Sequence, residues 1–233
     1  MLKNWMNRGK VLLVVAAPIE ATAVRKGVGA PEPTTLRSGH DWPIEPFAAH
    51  LDLLVTGVGK VNAGAAVARR AAADAYVAVI NLGICGALVP LDDLPLGSVV
   101  AADFSLYADE GLCAPDGFQT LAAMGFPPGP FEGMGVAPDQ DLLAAVRPLA
   151  AAVGPIATVS TCSGTDAAAA EVRRRTGAIA EAMEGAAAGH VLARCAAAAA
   201  IIEVRVVSNS TGDRGNQRWD MRGALARLST LAG

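Results

Sequence analysis

The chain has 233 residues, of which 52% are hydrophobic and 18% are charged, and its formal net charge is −3. This composition excludes general disorder and allows a substantial buried core. The slightly acidic balance argues against nucleic-acid binding, which normally uses a basic patch, so no nucleic-acid partner is predicted. No apolar run has the length of a membrane span or the pattern of a signal peptide, and the four cysteines are scattered. We therefore predict a cytoplasmic protein with reduced thiols and no membrane partner.

The first predicted strand is the continuous apolar run at residues 11–15, which is typical of a strand buried on both faces. Residues 1–10 are expected to form a loosely ordered N-terminal extension. Glu20 follows the strand, near the start of a predicted helix. A carboxylate at the carboxyl end of a buried strand is a site candidate in an α/β sheet. An exposed glutamate stabilised by the helix dipole would explain the same position.

Residues 34–46, which contain His40, are expected to form a short strand and a loop. His40 and His50 have no metal-ligand spacing with each other or with cysteine, so they are expected to face solvent. No metal site is predicted.

The second strand, residues 51–56, leads into a glycine-rich turn at 57–60 and a helix at 65–73. Glycines between a strand and a helix let backbone N–H groups face an anion or a sugar. A P-loop requires Ser or Thr directly after the lysine, where Val61 stands, and the dinucleotide fingerprint requires glycine where Asn62 stands. Both motifs are weak, and a tight turn without a ligand explains the glycines equally well.

The third strand, residues 76–80, is followed by a segment with two glycines at 81–88. We expect this segment to form a loop whose backbone lines a pocket, because glycine has no Cβ to keep a ligand away. A ligand-free tight turn is the alternative. A long strand is predicted at 96–107. Residues 113–138 are rich in glycine and proline and are expected to form a long connection with little regular structure, as a lid, an interface or a packed surface segment.

A helix is predicted at residues 139–151, with Pro148 as a kink or an early end. Strand 156–161 follows, and a loop of small residues at 160–166 could cap the next helix, at 167–175. After it, an apolar segment ends in a single carboxylate, Glu184, before a helix of very small residues.

The last strand, residues 199–207, ends in a polar segment at 208–214 and a terminal helix at 219–231. There is no internal repeat and no interdomain linker, so one domain over 1–233 with a mostly parallel sheet is predicted. Polar residues at several strand ends would then converge on one crevice.

These motifs resemble the nucleoside phosphorylase and nucleosidase superfamily. The closest similarity is to bacterial hydrolases of methylthioadenosine and S-adenosylhomocysteine and to futalosine hydrolases. Two of the similar segments are Asn-Leu-Gly-Ile-Cys-Gly-Ala-Leu at 81–88 and Ala-Met-Glu-Gly-Ala at 182–186. The others are at 14–20, 56–63, 96–100 and 205–209, in the family's order. The resemblance implies a three-layer α/β fold with a central mixed, mostly parallel sheet flanked by helices. It also implies no cofactor, a small-molecule nucleoside substrate, and a homodimer or larger homo-oligomer.

The resemblance also implies residue roles. Glu184 would accept hydrogen bonds from ribose hydroxyls, Met183 would pack against the ribose or base, and Glu20 would orient or deprotonate the attacking water. The remaining implied substrate-binding residues are Gly83, Ile84, Cys85 and Gly86 along one segment, and Cys162, Ser163 and Gly164 in the small-residue loop. The chemistry would be loss of a purine from C1′ through an oxocarbenium-like transition state.

Asn209 is the informative departure, because adenine-specific relatives carry an aspartate here that protonates purine N7. An amide cannot donate a proton in this way, but it can donate a hydrogen bond to N7 or O6 and accept one from N1–H. This pattern suits a 6-oxopurine such as the hypoxanthine of futalosine. The resemblance therefore implies hydrolysis of futalosine to hypoxanthine and dehypoxanthine futalosine, in the futalosine route of menaquinone biosynthesis.

Two charged residues follow in the same segment. Asp213 could supply the leaving-group proton, or it could form a structural salt bridge with Arg214. Arg214 could instead bind the carboxylate of the substrate's aromatic tail, because guanidinium groups suit carboxylates. The competing functions are an adenine nucleosidase, a phosphate-dependent phosphorylase and a non-catalytic nucleoside- or dinucleotide-binding module. A phosphorylase would need a cluster of cationic residues, and Arg25 and Lys60 do not form a convincing one in the sequence.

Overall fold

Strands and helices alternate along the chain, as the apolar runs predict. The computed structural model describes residues 2–30, 42, 44–48, 50–73, 75–129, 133–195 and 198–233. The helices are α1 (Leu2–Met6), α2 (Pro18–Val28), α3 (Lys60–Ala73), α4 (Gln140–Val146), α5 (Asp166–Thr176), α6 (Gly185–Cys195) and α7 (Met221–Ala232). The strands are β1 (Lys10–Val15), β2 (Ile44–Ala48), β3 (Leu51–Val55), β4 (Tyr76–Ala87), β5 (Val99–Tyr107), β6 (Gly111–Ala114), β7 (Gly117–Thr120), β8 (Gly135–Val136), β9 (Ala152–Thr158), β10 (Ala180–Ala182) and β11 (Ala200–Ser210).

Nine of the described strands form a mixed sheet in the order β10-β9-β5-β11-β4-β1-β3-β2, with β8 paired to β5, and β6 and β7 form a separate two-stranded sheet. Strands β11, β4, β1 and β3 are parallel neighbours at its centre. Strand β10 pairs in parallel with β9 and antiparallel with β4, so five strands from β4 to β10 close into a ring. The predicted mixed α/β sheet is confirmed.

The core lies on both faces of the central strands, because their side chains alternate in direction. In β1, Leu13 packs into a buried cluster with residues of α2 and α7, whereas Leu12 packs into a second cluster with residues of α3 and α6. Burial of one such leucine contributes about 1.5–3 kcal/mol. This two-sided burial produces the three layers and places the ends of the parallel strands together.

Two segments that were expected to be irregular form strands. Residues 81–87 continue β4, so the expectation of a loop there is wrong: β10 and β11 both pair with this part of the strand and bond its backbone groups. In the segment 113–138, part of the hairpin β6–β7 and the short strand β8 are present, so the expectation of little regular structure is also wrong. Gly117, with φ of 129°, supplies a backbone conformation in this hairpin that other residues rarely adopt.

The N-terminal extension begins with a helix instead of being loosely ordered, and Trp5 is buried in the core cluster beside α2 and α7. Most of the predicted strand and loop at 34–46, including His40, lies outside the described residues, while His50 is exposed as expected. Helix α4 ends at Val146 and a 3₁₀ turn containing Pro148 follows, which confirms the early end. Among the helices described, none has the length and apolar character needed to cross a membrane.

Candidate active site

Glu20 lies in the first turn of α2, directly after β1, and is buried. One carboxylate oxygen, Oε2, accepts hydrogen bonds from the backbone nitrogens of Ala16 and Ala17 at 3.0 and 2.9 Å. The other, Oε1, accepts one from the Ile84 nitrogen in β4 at 2.9 Å. The alternative of an exposed helix-dipole glutamate is therefore wrong, since this carboxylate joins the end of β1 to β4 beneath the surface.

Glu184 lies between β10 and α6 and is also buried. Its Oε1 accepts a hydrogen bond from the Gly59 backbone nitrogen at 3.0 Å, and its Oε2 lies 3.3 Å from Nη2 of Arg205. The glycine-rich turn at 57–60 thus uses one backbone N–H to fix a carboxylate. This contact gives the glycines a role that neither a P-loop nor a dinucleotide site provides.

Arg205, in β11, is only 1% exposed, forms the ion pair with Glu184 and lies close enough to Glu20 for the two charges to interact. Its Nε donates to Glu203 Oε1 at 2.8 Å, and its Nη2 donates a short hydrogen bond to Asn81 Oδ1. A Cβ placed on Gly83 would overlap the Arg205 guanidinium and lie 2.7 Å from Glu20 Oε1. Gly83 is therefore required because the arginine and the Glu20 carboxylate both pass close to its Cα.

The electrostatics of this cluster follow from burial. Burial raises the pKa of Glu20, and Glu184 adds to the rise, whereas Arg205 and the backbone N–H groups oppose it. Burial alone would lower the pKa of Arg205, but the neighbouring carboxylates Glu203, Glu184 and Glu20 raise it overall. Arg205 is therefore a permanent cation, and Glu20 is a carboxylate whose affinity for a proton is increased.

Further along β4, the structure brings Asn209 to Gly86. The two residues are paired in register, and the Asn209 Nδ2 atom would lie 3.1 Å from a Cβ on Gly86. Asn209 Nδ2 donates to the Ser210 carbonyl at 2.9 Å, and its Oδ1 accepts from Ser208 Oγ at 2.8 Å. These contacts define the orientation of the amide. Cys85, between the two site glycines, is buried in a core cluster, where burial raises the pKa of its thiol to about 12. Its side chain therefore serves the core.

The small-residue loop after β9 lies beside this end of β4. Ser163 is buried, and its backbone nitrogen and hydroxyl donate to the two oxygens of Glu181 at 2.9 and 2.6 Å. Cys162 and Gly164 are exposed. Burial raises the pKa of the Cys162 thiol, and the charges of Glu181 and Glu184 add to the rise. Met183 is half-buried against a core cluster next to the loop.

Asp213 and Arg214 are exposed, and the Arg214 backbone nitrogen donates to the Gly164 carbonyl of the small-residue loop at 3.0 Å. Asp213 is exposed, and its Oδ1 accepts from the Asp166 backbone nitrogen at the start of α5. The carboxylate thus satisfies an unpaired N–H of that helix, which gives no support to the predicted proton-donor role. Arg214 is exposed, donates to Gln217 Oε1 at 2.9 Å and lies over the Trp219 ring. Its contact with a substrate carboxylate stays a prediction, to be tested by the KM of an Arg214→Ala variant.

Three charged residues buried at this site were not predicted from the sequence: Arg205, Glu203 and Glu181. A signal for the first two was present, because Glu203 and Arg205 are two positions apart in an apolar strand and so share one face. Opposite charges at that spacing inside a buried strand indicate an internal ion pair. Glu181 had no comparable signal.

Comparison with known proteins identifies the family to which this chain belongs. A model of the phosphorylase superfamily matches residues 48–232. The chain therefore belongs to the phosphorylase superfamily. It is 37% identical to a futalosine hydrolase of Acidothermus cellulolyticus, with 94% of this chain and 87% of that protein covered. It is 34% identical to a futalosine hydrolase of Streptomyces coelicolor, with 96% of this chain and 93% of that protein covered.

A solved structure has the same fold. The 5′-methylthioadenosine/S-adenosylhomocysteine nucleosidase of Neisseria meningitidis, in complex with methylthio-immucillin-A, matches with a TM-score of 0.74 and 21% identity. The match covers 95% of this chain and 96% of that one. This similarity confirms the predicted nucleoside phosphorylase-like α/β fold.

Proposed function

We propose that this protein is an N-glycosyl hydrolase that converts futalosine to hypoxanthine and dehypoxanthine futalosine, within the futalosine route of menaquinone biosynthesis. The observation that carries the reaction class is the pair of buried carboxylates, Glu20, which backbone N–H groups hold, and Glu184, which is paired with Arg205. The substrate rests on the similarity to two futalosine hydrolases and on the amide of Asn209.

Glu184 binds the ribose in this proposal. The Gly59 N–H and Arg205 each contact one oxygen of its carboxylate, so the group is held in one orientation. Each carboxylate oxygen has a second acceptor site, which a ribose hydroxyl can use. As the C1′–N9 bond breaks, positive charge develops on the sugar. The fixed negative charge of Glu184 then favours the transition state more than the bound substrate.

Glu20 directs the water. The electron pair of the C1′–N9 bond leaves with the base as a hypoxanthine anion, the water oxygen bonds to C1′, and Glu20 accepts the proton that the water loses. Glu20 then releases this proton to solvent, and the anion takes up one proton from solvent to give neutral hypoxanthine. Burial raises the pKa of Glu20, which makes it a better acceptor of that proton than an exposed glutamate. Asn209 stabilises the departing hypoxanthine through a hydrogen bond from its second N–H.

The rival phosphorylase would need cationic side chains for phosphate. Lys60 follows Gly59 in the turn, but its ammonium group is paired with Asp109 and lies 2.9 Å from Glu110. Its charge is therefore already neutralised by two carboxylates. This arrangement favours water over phosphate as the nucleophile.

The test is incubation with futalosine, inosine and methylthioadenosine in phosphate-free buffer, with the released base identified by chromatography. Hypoxanthine released from futalosine alone is the expected result. Release of adenine from methylthioadenosine would overturn the substrate, and a requirement for phosphate with formation of a sugar 1-phosphate would overturn the hydrolytic mechanism.

A homodimer or larger homo-oligomer is part of the proposal. Val58 and Val61, beside the turn that holds Glu184, are large apolar residues exposed by 54% and 85%. An adjoining exposed apolar surface is typical of protein interfaces. Sedimentation equilibrium should give a mass at least twice that of the chain, and a monomer at micromolar concentration would contradict the assembly. Location in the cytoplasm stays a prediction that fractionation of cells can test.

A further inference from the structure

Glu181 is a buried carboxylate that the proposed reaction does not use. It lies in β10, three positions before Glu184, and is 5% exposed. Burial raises its pKa against the lowering effect of two hydrogen bonds from Ser163. A carboxylate is costly to bury unless it has partners. Among the residues that the structure describes, its hydrogen-bond donors are the backbone nitrogen and hydroxyl of Ser163, and neither carries a positive charge. Its position therefore calls for an explanation beyond folding.

The sheet places Glu181 next to Asn209. Glu181 is in register with Gly86 on one side of β4, and Asn209 is in register with Gly86 on the other side. A Cβ on Gly86 would lie 2.9 Å from Thr211 Cγ2, 3.1 Å from Asn209 Nδ2 and 3.6 Å from Glu181 Cγ. The two side chains therefore approach the same point above a residue that has no side chain. Neighbouring strands are about 4.8 Å apart, so the backbones of Glu181 and Asn209 are separated by roughly 10 Å, with the backbone of Gly86 between them and the Thr211 methyl group beside it.

The two side chains have opposite hydrogen-bonding character. Both oxygens of Glu181 accept from Ser163, and each keeps a second acceptor site. Asn209 Nδ2 donates one hydrogen to the Ser210 carbonyl and carries a second. An acceptor and a donor thus stand side by side above Gly86.

This pair of acceptor and donor matches the N1–C6 edge of a 6-oxopurine and does not match that of a 6-aminopurine. A 6-oxopurine presents an N1–H donor beside an O6 acceptor, whereas a 6-aminopurine presents an N1 acceptor beside an amino donor. We propose that Glu181 is a specificity-determining residue whose carboxylate accepts the N1–H of a 6-oxopurine while Asn209 donates to O6. The proposal rests on the proposed function and assigns base selection to a residue in another strand as well as to Asn209.

The physical basis of the selection is the cost of an unpaired buried group. With a 6-aminopurine bound, the Glu181 carboxylate would face the N1 lone pair and the Asn209 N–H would face the amino group. A site built to hydrogen-bond one pattern rejects the analogue that leaves its buried polar groups unpaired, by up to roughly 10⁴-fold.

The test uses Glu181→Gln with two substrates, futalosine and its analogue in which adenine replaces hypoxanthine. The glutamine oxygen can still accept from Ser163, and its amide can donate to N1 of adenine. We expect kcat/KM for futalosine to fall roughly 10- to 100-fold and the ratio of the two substrates to shift by at least about 100-fold toward the adenine analogue. The matched control is Glu171→Gln, on the surface of α5, which should leave both values unchanged.

Other results separate this inference from the proposed function. If the wild-type protein releases no hypoxanthine from futalosine, the proposed function itself fails. If the wild-type protein is active and Glu181→Gln keeps the substrate ratio within about three-fold, only the role of Glu181 fails. An equal loss on both substrates would show a structural or general catalytic role and would also overturn the inference.

A measurement on the wild-type protein covers the case of an unfolded variant. Hypoxanthine, 1-methylhypoxanthine and adenine are compared as product inhibitors. We expect the last two to bind at least about ten-fold more weakly than hypoxanthine, because neither offers an N1–H. Equal inhibition by all three bases would overturn the inference.

Discussion

Replacement of Glu184 by glutamine gives the most direct test of the ribose site. The change keeps the shape of the side chain and removes its charge. The Gly59 N–H and Arg205 are both donors to this carboxylate, so the amide can satisfy one of them and must turn its own NH₂ toward the other. One hydrogen bond to a charged group is lost, which is worth about 1.5–3 kcal/mol.

The loss of the negative charge at Glu184 also weakens binding of the transition state. The amide accepts a ribose hydroxyl more weakly and does not offset the charge that develops on the sugar. A deficit of about 2–3 kcal/mol corresponds to a roughly 30- to 150-fold fall in kcat/KM. Most of it should lie in kcat, because the interaction strengthens as the oxocarbenium character develops.

The assay is the initial rate of hypoxanthine release from futalosine, followed by chromatography, with the melting temperature of the variant measured in parallel. Glu171→Gln is the matched control, since it makes the same chemical change on an exposed helix face. A change below about three-fold in kcat, or a rise in KM alone, would refute selective binding of the transition state by Glu184.

The remaining predictions concern pH and two further charged residues. We expect kcat/KM to rise with pH through the raised pKa of Glu20, because only the ionised carboxylate can accept a proton from water. Glu20→Gln should lower kcat/KM by at least about 100-fold and abolish this rise, in pH profiles measured from about pH 5 to about pH 9. Arg205→Met leaves Glu203 and Glu184 buried without their cation, so the free energy of unfolding in urea should fall by about 3–5 kcal/mol, and a loss below about 1 kcal/mol would contradict the ion cluster. Asp213→Ala should cost about 0.5–1 kcal/mol of stability while kcat/KM stays within about two-fold, and a ten-fold loss of rate would support the predicted role of Asp213 as a proton donor.

Local sequence patterns predicted most of the helices and strands, but they failed where the role of a residue depends on side chains from other strands. The run at 11–15 indicated a strand because five successive apolar residues suit burial on two faces, and β1 confirms it. The glycines at 83 and 86 indicated a turn by the same kind of local argument, yet they lie inside β4. Their small size serves Arg205, Glu20 and Asn209, which come from other parts of the chain. A local pattern cannot distinguish a glycine that bends the chain from one that makes room for a distant side chain.

The sequence by itself determined the α/β class, the order of the strands along the chain and the presence of carboxylates after several of them. These properties depend on hydrophobic periodicity and on neighbours along the chain, which are visible in the sequence. Only the tertiary structure decided which charges meet. It placed Arg205 in an ion pair with Glu184 and near Glu20, placed Asp213 against the start of α5, and placed Glu181 across Gly86 from Asn209. The reason is that the order and register of a sheet depend on contacts between strands that are distant in sequence. That register brings together, in the buried site, charges that are far apart along the chain.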